Sequence, residues 1–445
     1  MRERAAVVFL CALTAAMALP YAVAGPNFIL DDWFALRNAM FEGAWAAAGH
    51  NQQVARPGAW VVYGLTFGFV GNHPLAIFVL QTAVTAAVAV ALFFVVRRFV
   101  AFAPAVATAA VWIVAPTHTS LDNWASALNI SLALLAVLLG VASLGRSRGD
   151  WVAAILFAVS ALCYEATMPL AAVACLAVPL LERRRPRLAD LALPSASLAA
   201  SGAWIVTHWH PDKHVGGWIN PSPLLAAHFG WGIATWHPLA TFLPVAATAG
   251  LVLAVVRLTF PSFRPAAVEP EATVAVGLAI MAIGIIPFLR YLYSPLGAGD
   301  RVNVVSSVGA ALVVTGLGWM TGRAARGRVT RALAIAAAVV VAATATATNV
   351  HRDRLYARAG DDVLRTMNAL DRAFPHPEGP IALGPTPVIT DNIGGLLDES
   401  NVDGALQVHR GHEGVRGYVT DNEAAWRRAP ANLRFDQVRF LRPSH

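Results

Sequence analysis

The sequence predicts an all-α polytopic membrane protein with a small α/β domain at its C-terminal end. Of the 445 residues, 57% are hydrophobic and only 13% are charged, which is more apolar surface than soluble cores could bury. The apolar residues form runs of about 20, the length that crosses the hydrocarbon of a bilayer as a helix. This composition excludes a soluble enzyme, and the continuity of the runs excludes a barrel.

The apolar runs predict about 11 transmembrane helices, since a helix pairs all of its own backbone groups in hydrocarbon. A half-apolar stretch at 59–70 is too short for a span and predicts a helix at the membrane interface. The predicted spans are 5–25, 74–96, 102–116, 124–144, 151–163, 166–181, 190–207, 238–257, 271–289, 302–320 and 331–348.

Basic residues are shared unequally between alternate loops, and short cytoplasmic loops are rich in Lys and Arg. With the N-terminus inside, the inner loops hold 16 basic residues and the outer loops hold five. We therefore expect a multi-pass protein of the inner (plasma) membrane, with loops 26–73, 208–237 and 290–301 and the C-terminal domain outside. The net charge of +7 is then a topology signal and indicates no nucleic-acid partner. Residues 1–24 also resemble a secretory signal, so cleavage of this segment stays open.

The composition changes to a polar one near residue 349, which predicts a boundary between a transmembrane module, 1–348, and an extracytoplasmic domain, 349–445. Within that domain, Asp361 to Phe374 has the periodicity of an amphipathic helix. Residues 381–383 and 388–389 have the composition of short strands.

Two adjacent carboxylates, Asp31 and Asp32, directly follow the first predicted span within an apolar and aromatic sequence, ILDDWF. Low-dielectric surroundings and mutual repulsion both raise the pKa of a carboxyl group. One member of the pair is therefore a candidate general base that takes a proton from a hydroxyl. The alternative is that the pair only begins a helix at the membrane surface, as Asp often does.

Five further residues on the predicted outer side are candidates for binding a substrate. Arg56 and Arg301 suit a phosphate, because arginine binds phosphate oxygens in pairs, although an interfacial arginine also anchors lipid headgroups. Glu165 lies in a turn so short that its carboxylate must sit near hydrocarbon, facing either a cavity or an arginine partner. His118 in an outer turn and Asp300 beside Arg301 complete the set.

Taken in order, these residues resemble motifs of the GT-C integral-membrane glycosyltransferases, which use polyprenyl-phosphate sugars as donors. The similarity is to the branch of the tetratricopeptide-bearing O-mannosyltransferases and their bacterial relatives, and an acidic pair after the first span is the hallmark of the class. No tetratricopeptide repeats follow, and the order of the motifs carries the similarity. The further motifs are Arg56-Pro57, Gly71-Asn72-His73-Pro74, Ala115-Pro116-Thr117-His118-Thr119 with Trp124, Cys163-Tyr164-Glu165-Ala166 with Pro169, and Gly299-Asp300-Arg301 through Ser307-Val308-Gly309.

The resemblance implies transfer of a hexosyl or pentosyl unit from a polyprenyl-phosphate sugar to a hydroxyl of a glycan, lipid or protein, with inversion. It makes Asp31 the general base and gives Asp32 a supporting or metal-binding role. Whether Mg²⁺ or Mn²⁺ takes part differs between branches, and no other cofactor is implied. Donor-phosphate and substrate binding falls to Arg56, His118, Glu165, Asp300 and Arg301.

Two other classes of membrane protein stay open. A lipid or sugar transporter or flippase would also be polytopic, and would place charged residues around a cavity at the membrane midplane. A polysaccharide polymerase or ligase would use outer-face arginines and would not need the acid pair. The charged residues here gather at one predicted face, which favours an enzyme acting there.

Overall fold

The structure is a computed structural model that describes residues 2–48, 54–146, 149–182, 187–208, 269–288, 297–324, 327–384, 388–390, 393–396, 399–420 and 423–436. The described part of the chain is mostly helical (82%), as the apolar runs predict. A single helical turn, Ser120–Asn123, lies between α5 and α6. The helices are α1 (Arg2–Ala24), α2 (Asp31–Phe41), α3 (Pro57–Tyr63, continued by a π-helical segment Gly64–Val70), α4 (Pro74–Arg97), α5 (Phe102–Val114), α6 (Leu128–Ser143), α7 (Gly149–Cys163), α8 (Met168–Leu181), α9 (Leu188–His208), α10 (Pro270–Ile285), α11 (Val304–Ala324), α12 (Arg328–Ala373), α13 (Glu399–Arg410) and α14 (Glu423–Arg428).

Nine of the predicted spans coincide with helices to within a few residues, and a tenth, 331–348, is the first part of the much longer α12. The eleventh, 238–257, lies outside the described residues. Most of the predicted loop 208–237 lies outside them too. Among the described residues, five helices are long and apolar enough to cross a membrane, namely α1, α4, α6, α11 and α12. Five further apolar helices run for 10–17 residues. The helical architecture is therefore confirmed, and the count of 11 spans stays a prediction.

The small sheets lie in the C-terminal part of the chain. The strands are β1 (Ile381–Gly384), β2 (Val388–Thr390), β3 (Ile393–Leu396), β4 (Gly417–Val419) and β5 (Arg434–Asp436). Strand β1 pairs in parallel with both β4 and β5, and β2 pairs antiparallel with β3. The two predicted strands are confirmed as β1 and β2, while the other three were not predicted.

Helix α12 runs for 46 residues from the apolar bundle into the C-terminal domain. The boundary predicted at 348/349 falls inside this helix, and the amphipathic helix predicted from Asp361 is its last part. A change of composition marks a change of surroundings, but it does not interrupt the hydrogen bonds of a helix. The two parts of the chain are therefore joined by continuous secondary structure.

Buried side chains form two main cores. The larger one lies inside the bundle, where Trp112 and Phe157 are among the largest fully buried side chains. The second joins α2 to the C-terminal domain, because Trp33 clusters with Leu370 of α12 and Leu406 of α13. The helix that begins with the acid pair thus shares a hydrophobic core with the C-terminal domain.

Candidate functional site

One end of the bundle holds a cavity of about 600 Å³. Its walls come from the first residue of α2, from α3, from the turn before α6, from the start of α8, from the end of α9 and from the segments after α10 and before α11. Four of the residues singled out in the sequence line it: Asp31, Arg56, Glu165 and Arg301. Folding therefore brings together charged side chains that lie far apart in the chain.

The acid pair opens α2, and successive residues of an α-helix point about 100° apart. Asp31 lines the cavity, whereas Asp32 is fully buried behind the wall. Leu30, just before the pair, has a φ of 51°, which is unusual for a residue with a β-carbon. Its N–H donates a hydrogen bond to the carbonyl of Gly395 at 2.9 Å. Backbone strain of this kind persists only where the surroundings hold it.

Asp32 accepts hydrogen bonds through both carboxylate oxygens. The Ile29 N–H lies 3.1 Å from Oδ2, and the N–H and hydroxyl of Ser126 both donate to Oδ1, the N–H at 2.8 Å. Burial raises the pKa of Asp32 to about 7, although these hydrogen bonds lower it, and the nearby Asp31 carboxylate raises it further. The raised pKa expected for the pair is therefore found on the member that is sealed from the cavity.

The segment 124–127 is hydrogen-bonded to three helices, α2, α3 and α4. Ser126, which binds the acid pair, also accepts a hydrogen bond through its carbonyl from the Tyr63 hydroxyl of α3 at 3.1 Å. Gln81 of α4 donates to the carbonyl of Trp124 at 2.8 Å. The position of the acid pair is thus fixed relative to the rest of the cavity wall.

Arg301 reaches the cavity from the 3-10 helix Gly297–Asn303. Its guanidinium carbon lies 5.5 Å from the centroid of the Trp124 ring, which is a cation–π contact. The indole Nε1 of Trp124 is buried and has no hydrogen-bond partner among the described residues. A cation backed by an aromatic face therefore lies at the cavity wall, an arrangement that suits an anion.

Arg56 and Glu165 form an ion pair in the cavity wall. Arg56 Nε lies 2.8 Å from Glu165 Oε2, and Nη2 lies 2.5 Å from Oε1, so two parallel hydrogen bonds join them. The guanidinium also lies over the Tyr164 ring, 5.9 Å from its centroid. Both alternatives weighed for Glu165 are realised, because it lines a cavity and pairs with an arginine. Since the carboxylate neutralises Arg56, the pair suits sugar hydroxyls better than a phosphate.

Two residues expected to bind substrate lie behind the wall, which corrects their expected location. Asp300 is fully buried and accepts hydrogen bonds from the Thr119 hydroxyl at 2.7 Å and the Ser120 N–H at 3.0 Å. His118 is buried and stacks on Trp112 with ring centroids 4.6 Å apart. Asp300 precedes Arg301 in a 3-10 helix, where successive residues point about 120° apart, and its side chain turns away from the cavity that Arg301 lines.

A second cavity of about 310 Å³ lies among α4, α6, α8, α10 and α11, with an almost entirely apolar lining. Consecutive residues of α8 line the two cavities, Pro169 the first and Leu170 the second. From there the apolar cavity follows the helices toward the opposite end of the bundle, as far as Phe99 and Leu181. This succession fits a molecule with a polar head and a long apolar tail.

Several residues of the polar cavity were not predicted, although the sequence carries a signal for some of them. Ser126 and Asn129 are polar residues three apart at the start of an apolar helix, a spacing that places them on one face. Tyr63 lies on the stretch that was expected at the membrane interface. Polar residues at the first turn of an apolar helix were the usable signal.

Within the described ranges, no group of three or more His, Cys, Asp and Glu residues is arranged to hold a metal ion. Both oxygens of Asp32 accept hydrogen bonds, so this geometry fits the supporting role expected for it better than the metal-binding one. No protein-family model matches the chain, and no curated protein matches it either. The chemistry of the cavity is therefore the basis on which a function can be argued.

Proposed function

We propose that the chain is an integral-membrane glycosyltransferase of the GT-C type that acts on the outer face of the inner (plasma) membrane. It moves a monosaccharide from a polyprenyl-phosphate sugar to a hydroxyl of a glycan, lipid or protein. The observation that carries the proposal is the cavity shared by Asp31, Arg56, Glu165 and Arg301, with an apolar cavity directly beside it.

Asp31 acts as the general base. The acceptor hydroxyl gives its proton to the Asp31 carboxylate while its oxygen bonds to the anomeric carbon of the donor sugar. The bond between that carbon and the phosphate oxygen breaks with its electron pair, so polyprenyl phosphate leaves and the configuration inverts. Asp31 is the carboxylate at the cavity wall that opens a helix, where the helix dipole favours a negative charge.

Arg301 stabilises the charge that develops on the leaving phosphate. Fixed donors aimed at developing charge are commonly the largest contribution to catalysis, because they need no reorganisation during the reaction. The Trp124 ring behind the guanidinium fixes its position. The Arg56–Glu165 pair offers donors and an acceptor for sugar hydroxyls on the same wall.

The apolar cavity accommodates part of the polyprenyl chain. Its lining residues follow the helices from the polar cavity toward the end of the bundle where Arg97 and Arg98 lie. A donor with its phosphate at Arg301 would therefore keep its tail at hydrocarbon depth. Five helices with the length and apolarity of membrane spans support this placement, with membrane lipids as their surroundings.

The test is to incubate membranes that contain the protein with a panel of radiolabelled polyprenyl-phosphate sugars and to follow label into non-lipid product. We expect transfer from at least one donor, and none in membranes that carry Asp31→Asn at equal abundance. Transfer from no donor would contradict the proposal and favour a transporter. Transfer only from diphosphate-linked donors would favour a polymerase or ligase.

A further inference from the structure

The helix that carries the acid pair packs closely against the C-terminal domain. Helices α2 and α13 are in contact along much of their length, and Trp33 of α2 belongs to the core of that domain. A β-carbon added at Gly404 of α13 would lie 2.6 Å from the carbonyl oxygen of Trp33. Only glycine permits this approach, so the two helices sit closer together than side chains would normally allow.

Polar contacts at several points along α2 hold the same interface. Arg37 Nε donates to Gln407 Oε1 of α13 at 2.8 Å, and Arg37 Nη2 lies 2.5 Å from Glu413 Oε1. At the other end of α2, the Leu30 N–H bonds to the Gly395 carbonyl of β3. The C-terminal domain therefore contacts α2 both at its middle and directly before the acid pair.

One side chain of the C-terminal domain reaches the acid pair itself. Asn401, in the first turn of α13, is 1% exposed, and its Nδ2 lies 3.5 Å from Asp31 Oδ1. This distance is long for a hydrogen bond. Catalytic hydrogen bonds are commonly long in ligand-free structures and shorten once substrate is bound. Asn401 and Asp31 are 370 positions apart in the chain, so only the docking of the domain brings them together.

We propose that Asn401 is a positioning residue for the base, so that the C-terminal domain completes the catalytic site. The amide N–H of Asn401 holds Asp31 Oδ1 and thereby fixes the carboxylate so that Asp31 can present its other oxygen to the acceptor hydroxyl. A donated hydrogen bond also favours the ionised form of a carboxylate, which is the form that accepts a proton. The catalytic meaning of the contact rests on the proposed function, but the contact itself does not.

Two substitutions of Asn401 and one matched control test this role. Asn401→Leu removes the donor at similar size, and Asn401→Asp replaces it with an acceptor that repels Asp31. We expect both to lower kcat about tenfold to a hundredfold, as misplacement of a reacting group does, with the donor KM within about threefold. The acid limb of the pH–rate profile should move to higher pH, further in Asn401→Asp. Gln407→Met disturbs the same pair of helices without touching Asp31, and should leave the profile in place.

A chemical readout keeps the test independent of sugar transfer. Carbodiimide with an amine nucleophile labels protonated carboxyl groups, and peptide mass spectrometry reports the extent of labelling at Asp31 across a pH series. In folded Asn401→Leu, the pH of half-maximal labelling should rise relative to the unaltered protein and to Gln407→Met.

The outcomes of the two measurements are distinguishable. An unchanged labelling curve in folded Asn401→Leu and Asn401→Asp would overturn the positioning role, whatever the transfer activity. A shifted curve in a protein that transfers no sugar would support the contact and overturn the proposed function. Loss of kcat without any movement of the pH profile would mean that Asn401 has only a structural role.

Discussion

The wall of the polar cavity and the layer directly behind it both contain acidic side chains, but these side chains make different contacts. In the wall, Asp31 and Arg301 border a volume large enough for a ligand. Behind it, Asp32 and Asp300 have both carboxylate oxygens bonded to N–H and hydroxyl donors of neighbouring turns. Of two adjacent acidic residues, Asp31 can therefore face a ligand while Asp32 makes the hydrogen bonds that hold the wall in place.

The largest effect should come from the wall. Asp31→Asn removes the base at nearly constant size, and we expect the rate of sugar transfer to fall by about a thousandfold or more. The unfolding temperature in detergent should stay within about 2 °C, because asparagine has nearly the same size and its amide oxygen can accept the hydrogen bond from Asn401. Glu42→Gln, at the exposed C-terminal end of the same helix, is the control and should keep full activity. Normal sugar transfer by Asp31→Asn would contradict the assignment of Asp31 as the general base.

Asp300→Ala should mainly lower stability, whereas Asp31→Asn should mainly lower activity. It leaves the Thr119 hydroxyl and the Ser120 N–H buried without their acceptor, and we expect the free energy of unfolding to fall by about 3 kcal/mol. Asp31→Ala, on the wall, removes one long contact, the one with Asn401, and should cost only about 1 kcal/mol. Unfolding in detergent at fixed pH measures both. Equal losses in the two variants would mean that the layer behind the wall is no more structural than the wall itself.

Arg301→Ala should lower kcat/KM for the donor by about thirtyfold, which corresponds to about 2 kcal/mol. Arg301→Lys keeps the charge but loses the planar stacking on Trp124, so its loss should be smaller but measurable. Arg323 lies over Trp319 in the last turn of α11, the helix that follows the Arg301 segment, and Arg323→Ala is therefore a matched control. A comparable loss in that control would show that the effect does not come from the cavity.

A further effect concerns the dependence of stability on pH. Burial raises the pKa of Asp32 to about 7 from an ordinary value of 3.8, so between these values the folded chain binds the proton more tightly than the unfolded one. Asp32 therefore contributes a fall in the free energy of unfolding as pH rises from about 4 to about 7, at most about 1.4 kcal/mol per pH unit. Asp32→Asn should flatten this slope. An unchanged slope in unfolding measured at pH 5, 6 and 7 would contradict the raised pKa.

The sequence predicted which segments meet at the cavity more successfully than which side chains face it. Asp31 and Arg301 were singled out together with their neighbours Asp32 and Asp300, and in each pair only one residue lines the cavity. Both pairs lie in helical turns whose successive residues diverge by about 100° or 120°. Which member faces inward is decided by what packs against the turn, and a single sequence does not contain that information.

The role of the C-terminal domain was also beyond prediction from the sequence. Its composition and two of its strands were recognisable, because alternation and polarity are local properties. Its docking on α2 depends on Gly404 and Trp33, which are nearly the whole chain apart, and on Asn401, an ordinary polar residue of an amphipathic helix. Contacts between residues so far apart in the chain produce no periodic pattern in the sequence.

The number of residues in helix α12 sets the distance and the rotation between the bundle and the C-terminal domain. Its 46 residues span roughly 69 Å, more than twice the hydrocarbon thickness of about 30 Å. Asp353 on this helix binds Asn123 of the bundle at 2.8 Å, and Met367, four turns further on, lies in the core of the C-terminal domain. One residue inserted between them would rotate the domain by about 100° and carry Asn401 away from Asp31. This connection can therefore tolerate many changes of side chain but scarcely any change of length.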